Sequence, residues 1–537
     1  TRGFKELLAR GLTGDPRVSQ RGEYSNAYAA FTDYIEQRIY GVQKVDPGWE
    51  VGSISFLKGV NAWMTYVGLV TLGGNYLSAK ANWNLAQALT WMEGLGSEFY
   101  TTKNVAMGEK KYAMDLGNIM NDVGQVRPKS KTNLLGEIFD PLNDFNFRKY
   151  NYADNSRWKR LANLSSAHFL NNMAEHNVQN LTMYSILDGT KVMNSKGKYI
   201  TKAGEETEDI NKAMSLDESY TKDNGKLLLN PDVKYIYSPV FGKLKYYVET
   251  FSEASRPGDP TPAPIDHRIN AQIKLTNAMQ QINYDLHGAY SLRNSPPFQR
   301  LIIGALALML RKFLAPSLLR RFGGGAAYLY NKSLSLKGED KSKYESTKRF
   351  RVGTESYTEG MYITSLRTIP NLLKALFADI TRMQTDLQRT EWSQLSKTER
   401  ANIIRTVSEL GFGIVMLVFG TIFRGAASDD DDNKYLYYLS FQTNRLYTEL
   451  FAYVSITEMM RILQSPMATI TMVERLKDFI FQLSSDVLWR GGEFEEYQSG
   501  KRAGQYKVKK RVMDLVPFWK HGTRHEYLGD IVNYYYK

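Results

Sequence analysis

Apolar and polar positions recur with the spacing of helices over most of the 537 residues. Apolar side chains return every three or four positions in 158–183, 266–335, 360–427 and 434–490, as in amphipathic helices. Residues 187–250 differ, because they contain short candidate strands separated by turn-forming residues. The turn signals are Ser195-Lys196-Gly197 and Asn230-Pro231-Asp232. The pattern predicts a mainly α protein, a multi-helix bundle-like architecture with a small β-containing insert.

Changes in composition and periodicity along the chain predict its domain organisation. We expect an N-terminal helical region, a small β-containing insert, a proline-rich linker, a C-terminal helical region with apolar helices, and a basic aromatic tail. Within the insert, we interpret the polar and acidic residues 204–226 as a solvated excursion. The predicted boundaries are 1–186, 187–250, 251–265, 266–500 and 501–537.

Three stretches are unusually apolar for a chain with 23% charged residues. Residues 410–423 and 301–310 are short, and 59–79 is longer but rich in glycine. As a helix, 410–423 spans about 21 Å, less than the roughly 30 Å of a bilayer core. We expect this segment to be covered by its own fold or by a partner, and to contact lipid when that cover is lost. The candidate membrane-contacting residues are Leu410, Ile414, Val415, Leu417, Val418, Phe419, Ile422, Leu301, Ile302, Leu306 and Leu308.

Charge and cysteine usage narrow the class of protein. The net charge of +13 suggests a polyanionic neighbour, either nucleic acid or an anionic membrane, although an ordinary basic soluble protein has the same composition. With no cysteine in the chain, disulfides and thiolate metal sites are excluded. The chain opens at Thr1 without an initiator methionine, which we interpret as an internal cut in a longer polypeptide.

Chemical motifs are scarce. The six histidines form no metal-binding pattern, and we expect His521 and His525, four positions apart, to lie at the surface. The run 429–432 of four aspartates lacks the spacing and glycine of a calcium loop, so a solvated loop is expected there. No phosphate-binding glycine loop or nucleophile elbow occurs. We therefore predict no catalytic residue, no metal site and no cofactor.

The tail interleaves basic and aromatic residues. Basic side chains neutralise phosphates, and aromatic rings stack on bases or lie at a lipid interface. A docking tail for a protein partner is the alternative. The candidate polyanion-binding residues are Lys501, Arg502, Lys507, Lys509, Lys510, Arg511, Lys520 and Arg524.

Three segments in order resemble a known family. They are 284–322 (YDLHGAYSLRNSPPFQRLIIGALALMLRKFLAPSLLRRF), 442–465 (QTNRLYTELFAYVSITEMMRILQS) and 500–519, which ends in Val-Pro-Phe-Trp. Together they resemble the large internal virion proteins of crAss-like and related Bacteroidetes-infecting tailed phages. The similarity covers residues 50–537 unevenly.

The resemblance implies a virion-internal cargo protein, packaged in the head or tail barrel and ejected into the host, with a role in genome passage across the envelope. It also implies other virion proteins as partners (portal, tail barrel, other cargo), with phage DNA and host membrane as further contacts and no small-molecule substrate. Two alternatives stay open: an accessory non-catalytic region of a virion RNA polymerase polyprotein, and an architectural portal or tail-barrel component. The polymerase aspartate motif is missing, so no polymerase activity is expected.

Overall fold

The computed structural model describes most of the chain, and its described residues fall into two compact units. The smaller unit holds 50–71, 314–315 and 468–516, and the larger unit holds the other described residues. The described ranges are 50–51, 54–72, 76–122, 128–141, 169–223, 225–249, 264–288, 314–323, 351–352, 355–356, 360–370, 392, 395–428, 434–451, 453, 468–499 and 503–516.

Helices dominate, and the insert holds most of the strands, so the predicted fold class is confirmed. The helices are α1 (Phe56–Leu72), α2 (Tyr76–Gly96), α3 (Thr102–Asp122), α4 (Lys131–Phe139), α5 (Phe169–Gly189), α6 (His267–His287), α7 (Leu314–Phe322), α8 (Lys397–Ser428), α9 (Lys434–Phe451), α10 (Ala468–Ser484) with a π-helical turn (Ser485–Trp489), and α11 (Lys507–Leu515). Residues 361–370 are also helical.

The strands are short. They are β1 (Glu50–Val51), β2 (Ile54–Ser55), β3 (Lys191–Met193), β4 (Tyr199–Ile200), β5 (Glu206–Thr207), β6 (Tyr220–Asp223), β7 (Lys226–Leu229), β8 (Tyr235–Ser238), β9 (Gly242–Lys245), β10 (Val248–Glu249), β11 (Ile265–Asp266), β12 (Arg351–Val352) and β13 (Glu355–Ser356).

Helix α5 is the centre of the larger unit. Its residues 178–189 are all buried, and α2, α3, α4 and α6 pack around it. A helix surrounded in this way has no single solvent-facing side, and its buried positions include polar residues such as Gln179, Asn180 and Asp188, so α5 shows little amphipathic periodicity. Local caps fix the ends of its neighbours: the Ser130 hydroxyl accepts from the Asn133 amide of α4 at 3.2 Å, and Asp266 accepts from the Arg268 amide of α6 at 3.0 Å.

The insert contains a five-stranded antiparallel sheet in the order β5-β4-β3-β8-β9, beside the hairpin β6-β7. The predicted turn at Ser195-Lys196-Gly197 joins β3 to β4, where Gly197 adopts a positive φ of 77°. The turn at Asn230-Pro231-Asp232 is also present, since the Asp232 amide donates to the Asn230 side chain at 2.9 Å. Both turn signals are confirmed.

The interpretation of 204–226 as a solvated excursion is wrong for residues 213–220. Met214, Leu216 and Tyr220 are buried in the core. Asp217 is only 2% exposed, because Lys111 of α3 lies 2.8 Å from its carboxylate and also binds Asp188. The acidic composition of this stretch therefore reflects a buried ion pair as well as solvated side chains.

The smaller unit has a core of its own. Val67 and Val70 of α1, from the uncharged segment 59–79, pack with Met472 of α10. The Tyr66 hydroxyl donates to the Leu515 carbonyl of α11 at 2.8 Å. The predicted linker 251–265 lies almost entirely outside the described residues.

Candidate membrane interface

Helix α8 carries the candidate segment 410–423 and divides into two halves. We call residues 397–409 the polar half and residues 410–428 the apolar half. The polar half is largely buried in the larger unit, where Arg405 and Glu409 are 5% and 1% exposed. The apolar half is largely exposed, so along this helix charged side chains are buried while apolar side chains face solvent.

Buried ion pairs hold the polar half in place. Arg405 forms a very short ion pair with Glu93 of α2 and lies 3.0 Å from the Glu98 carboxylate. Arg320 of α7 lies 3.3 Å from the same Glu93 carboxylate, and burial lowers the pKa of Arg320. Removing one partner from such a group leaves an uncompensated buried charge, so the pairing fixes three helices together.

A second ion pair lies one turn further along α8. Arg321 of α7 lies 2.7 Å from Glu409, whose carboxylate also accepts a hydrogen bond from the Tyr362 hydroxyl at 2.8 Å. The Arg321 guanidinium carbon stands 3.9 Å from the centroid of the Tyr453 ring. Burial would lower the pKa of Arg321, but the Glu409 charge raises it overall, so the guanidinium stays charged. Glu409 is the last charged residue before the apolar half.

The exposed side chains of the apolar half are aliphatic or aromatic. Because successive residues turn by about 100°, they cover well over half of the helix circumference. Each is between 42% and 55% exposed: Ile414, Val415, Leu417, Val418, Phe419 and Ile422. Leu410, also a candidate, is partly buried.

Helix α9 covers the remaining side of the apolar half. Gly413 and Gly420 face it, and a Cβ on Gly413 would collide with the Phe451 ring. At Gly420 the backbones approach closely enough for the Ser440 hydroxyl to donate to its carbonyl at 3.2 Å. Small residues permit such close helix packing, in water or in lipid. The apolar half is thus one member of an α8–α9 pair.

The described residues leave much of 410–423 exposed, so the cover expected for this segment would have to come from a partner. The segment was expected to be buried because exposed apolar area is costly. Full burial of one such side chain stabilises a fold by about 1.5–3 kcal/mol. The six half-exposed side chains together therefore lack about 5–9 kcal/mol of the stabilisation that full burial would give. Coverage by a partner surface stays open.

Length and composition together single out α8. Among the described residues it is the one helix long and apolar enough to cross a membrane, over Lys397–Ala426. A core helix of a soluble protein can meet the same criteria, but only 22% of the most apolar part of this helix is buried. The uncharged stretch between Glu409 and Arg424 is nevertheless only about 21 Å long. Those charges favour shallow insertion over a full span.

The other candidate residues are only partly described. Leu301, Ile302, Leu306 and Leu308 lie outside the described residues, as do Lys501, Arg502, Lys520 and Arg524. On α11, Lys507 forms a very short ion pair with Glu495, Lys510 lies 2.8 Å from Asp514, and Arg511 lies 2.8 Å from Asp478. Lys509 is exposed. Local carboxylates therefore compensate three of the four described basic residues.

A second exposed apolar surface, which the sequence did not single out, lies on the smaller unit. Phe481 of α10 is 77% exposed, and Leu488 and Trp489 of the π-helical turn are 75% and 84% exposed. Helix α10 also packs on α11, and the Gln482 amide donates to the Glu495 carboxylate at 3.2 Å. This surface has no aspartate run beside it, but Lys477 and Arg490 are exposed nearby.

Histidines and acidic residues offer little chemistry. Within the described parts of the chain no three histidine, aspartate or glutamate side chains could hold a metal. His176 is buried between the Tyr112 hydroxyl and Asn133, each 2.9 Å away, and burial lowers its pKa to about 4. His287 is buried beside Arg320, and its pKa is lowered to about 3. Residues 429–432, His521 and His525 lie outside the described residues.

Comparison with known proteins gives no relative: no family model, no curated protein and no solved structure matches this chain.

Proposed function

We propose that this chain is a virion-internal cargo protein of a tailed bacteriophage that binds the host membrane through the apolar half of α8 after ejection. The observation that carries the membrane part is the exposure of six aliphatic and aromatic side chains on α8. The phage setting rests on the resemblance of 284–322, 442–465 and 500–519 to internal virion proteins. We attribute no catalysis to the chain.

The geometry of α8 favours a shallow, interfacial position. Its exposed face is wide and without charge from Gly411 to Phe423, and Arg424 at its end can extend towards headgroups. The run 429–432 adds four aspartates immediately after the helix. Placing an aspartate at the centre of a bilayer costs about 2.5–3.5 kcal/mol, so insertion deep enough to bury this end is disfavoured.

The absence of cysteine suits transport through a tail. Passage through a narrow tube requires at least partial unfolding, and a disulfide would oppose it. A helical chain with many local contacts unfolds and refolds over lower barriers than a large β-protein. Both features support the cargo role.

Vesicle flotation of the purified chain tests the membrane part. We expect wild type to float with vesicles of phosphatidylethanolamine and phosphatidylglycerol, and the double variant Val415→Arg, Val418→Arg to stay at the bottom of the gradient. The matched control is Ile269→Arg, Ile273→Arg on α6, where both side chains are similarly exposed. The control should float like wild type. Wild type that does not float, or a control that fails equally, would remove the membrane role.

Mass spectrometry of virions tests the cargo part separately. The chain should be present in intact particles and depleted from DNA-emptied ghosts. Equal abundance in both samples would favour the architectural component of the portal or tail barrel instead. Polymerase aspartate motifs upstream of Thr1 in the full reading frame would favour the polymerase polyprotein.

A further inference from the structure

The outer face of the five-stranded sheet carries tyrosine and lysine side chains in rows across the strands. The other face is apolar, since Val192, Ile200 and Ile236 are buried in the core. Residues directly opposite one another in antiparallel strands point to the same face. The register therefore places two rows on the outer face: Lys191–Tyr237–Lys243, and Tyr199–Met193–Tyr235–Lys245.

The rings on this face meet in two pairs. Tyr199 and Tyr237 meet edge to face with centroids 6.4 Å apart, and Tyr235 and Tyr247 do so at 5.9 Å. All four tyrosines are half-buried, so part of each ring is open to solvent. The rings lie on β4, on β8 and just after β9, so they are spread across several strands of the sheet.

Lysines lie directly over these rings. The Lys243 ammonium stands 4.3 Å from the centroid of Tyr235, and that of Lys245 stands 5.8 Å from Tyr247. Both lysines are exposed. Glu249 lies 3.7 Å from Lys245 and also binds His267, so it offsets part of that charge. Lys243 has no ion pair among the described residues.

We propose that this tyrosine–lysine face (Tyr199, Tyr235, Tyr237, Tyr247, Lys243 and Lys245) binds single-stranded nucleic acid. Unpaired bases stack on aromatic rings whatever their sequence, and ammonium groups beside the rings neutralise the phosphates that connect the bases. A sheet with splayed aromatic side chains is suited to single strands, because the bases of a duplex are stacked on each other and present only their edges.

The chemistry of the face favours nucleic acid over a lipid surface. Its exposed groups are phenol rings and ammonium groups, whereas the exposed groups of the α8 apolar half are aliphatic and phenyl. The face also lies in the insert, and it was not among the residues expected to bind polyanions. The net charge of +13 adds a favourable long-range attraction. This inference does not depend on the proposed membrane role.

Fluorescence anisotropy of the full chain with a labelled oligothymidylate of about 12 nucleotides tests the proposal. Tyr235→Ala with Tyr237→Ala should weaken binding by about tenfold or more, because stacking on two rings is lost. Tyr235→Phe with Tyr237→Phe keeps the rings and should bind within about twofold of wild type. Circular dichroism melting of each variant reports whether the sheet stays folded.

A charge series separates a specific face from general attraction without disturbing the rings. Lys243→Gln with Lys245→Gln should weaken binding and reduce the slope of log affinity against log salt by about 1.4. Lys103→Gln with Lys110→Gln on α3 removes the same charge from exposed positions elsewhere and should leave that slope nearly unchanged.

Three outcomes would overturn the proposal. They are no binding of the oligonucleotide by wild type, equal weakening by both lysine pairs, and equal affinity for a duplex of the same length. A folded Tyr235→Ala, Tyr237→Ala variant that binds like wild type would show that the rings serve only to stabilise the sheet.

Discussion

The two halves of α8 differ in composition and in burial, and the differences run in opposite directions. The polar half holds Arg405, Glu409 and Thr406, and all three are buried. The apolar half holds Ile414, Val418 and Ile422, and each is more than half exposed. In a helix folded only for water the apolar half would be inside. In α8 the charged end is anchored in the core and the apolar end leaves it. This arrangement presents the apolar end to another surface.

The anchoring explains how the exposed end is held. Each charge buried in the polar half has an oppositely charged partner on another helix, so α8 cannot slide or rotate without separating ion pairs. The apolar half makes its close contacts with α9 through glycines, which keeps one side covered and the other free. The two halves therefore have distinct tasks, and substitutions should affect them differently.

The largest expected effect is the loss of a buried ion pair. Arg405→Ala should lower the free energy of unfolding by about 3–5 kcal/mol, because the Arg405 charge no longer compensates the buried Glu93 and Glu98 carboxylates, and Arg320 is left to neutralise Glu93. Arg424→Ala makes the same change at an exposed position of the apolar half and should cost less than about 0.5 kcal/mol. Urea unfolding of both variants measures the difference. Equal losses would mean that the halves are not distinct.

Low pH should lower the stability of the region that surrounds the polar half. His287 is buried beside Arg320, and its folded pKa of about 3 lies below the unfolded value of 6.5. The unfolded chain therefore binds a proton first as the pH falls. The stability linked to neutral His287 is complete above pH 6.5 and is lost towards pH 3, by a total on the order of 5 kcal/mol.

Urea unfolding at pH 7 and pH 4.5 checks this dependence. His287→Phe should lose less stability than wild type between the two values, since it has no proton to bind. The same pH dependence in wild type and variant would exclude His287 as its source.

An added methyl group should disturb the packing against α9 at one glycine of α8 and be tolerated at another. Gly413→Ala places a methyl group against the Phe451 ring and should destabilise by about 1–3 kcal/mol. Gly411→Ala meets open space two positions earlier and should stabilise the helix by up to about 1 kcal/mol. Thermal melting of the two variants should shift in opposite directions, and two downward shifts would show that Gly411 is also packed.

The smallest expected effect on stability comes from the exposed face itself. Val415→Arg with Val418→Arg should change the free energy of unfolding by only about 0.5 kcal/mol per site, because both side chains already face solvent. From the sequence alone, the same pair is expected to destabilise a buried segment. A loss of several kcal/mol in urea unfolding would restore that expectation and contradict the exposed geometry.

The sequence was most informative where structure depends on neighbouring residues. The turns at Ser195-Lys196-Gly197 and Asn230-Pro231-Asp232 depend on glycine, proline and asparagine within a few positions, and both were predicted correctly. Helical periodicity likewise gave the fold class. These signals are local, because the physical interactions that produce them span at most one helical turn.

Features that depend on distant residues were not predictable. Arg405 and Glu93 are separated by 312 positions, and Arg321 and Glu409 by 88, so no local pattern marks either pair as buried. The exposure of the apolar half was missed for the same reason: hydrophobicity predicts burial on average, and the surface that α8 leaves open is set by where its polar half is anchored. The tyrosine–lysine face emerged only once the register of β3, β8 and β9 was known.

The most direct test of the membrane role places one environment-sensitive fluorophore on each half of α8. The chain has no cysteine, so Val418→Cys and Arg400→Cys each accept a single label without further changes. We expect the emission at position 418 to shift to the blue on adding anionic vesicles and to be quenched by brominated acyl chains. Emission at position 400 should not respond. A label at 418 that stays in water, or equal responses at both positions, would contradict binding through the apolar half.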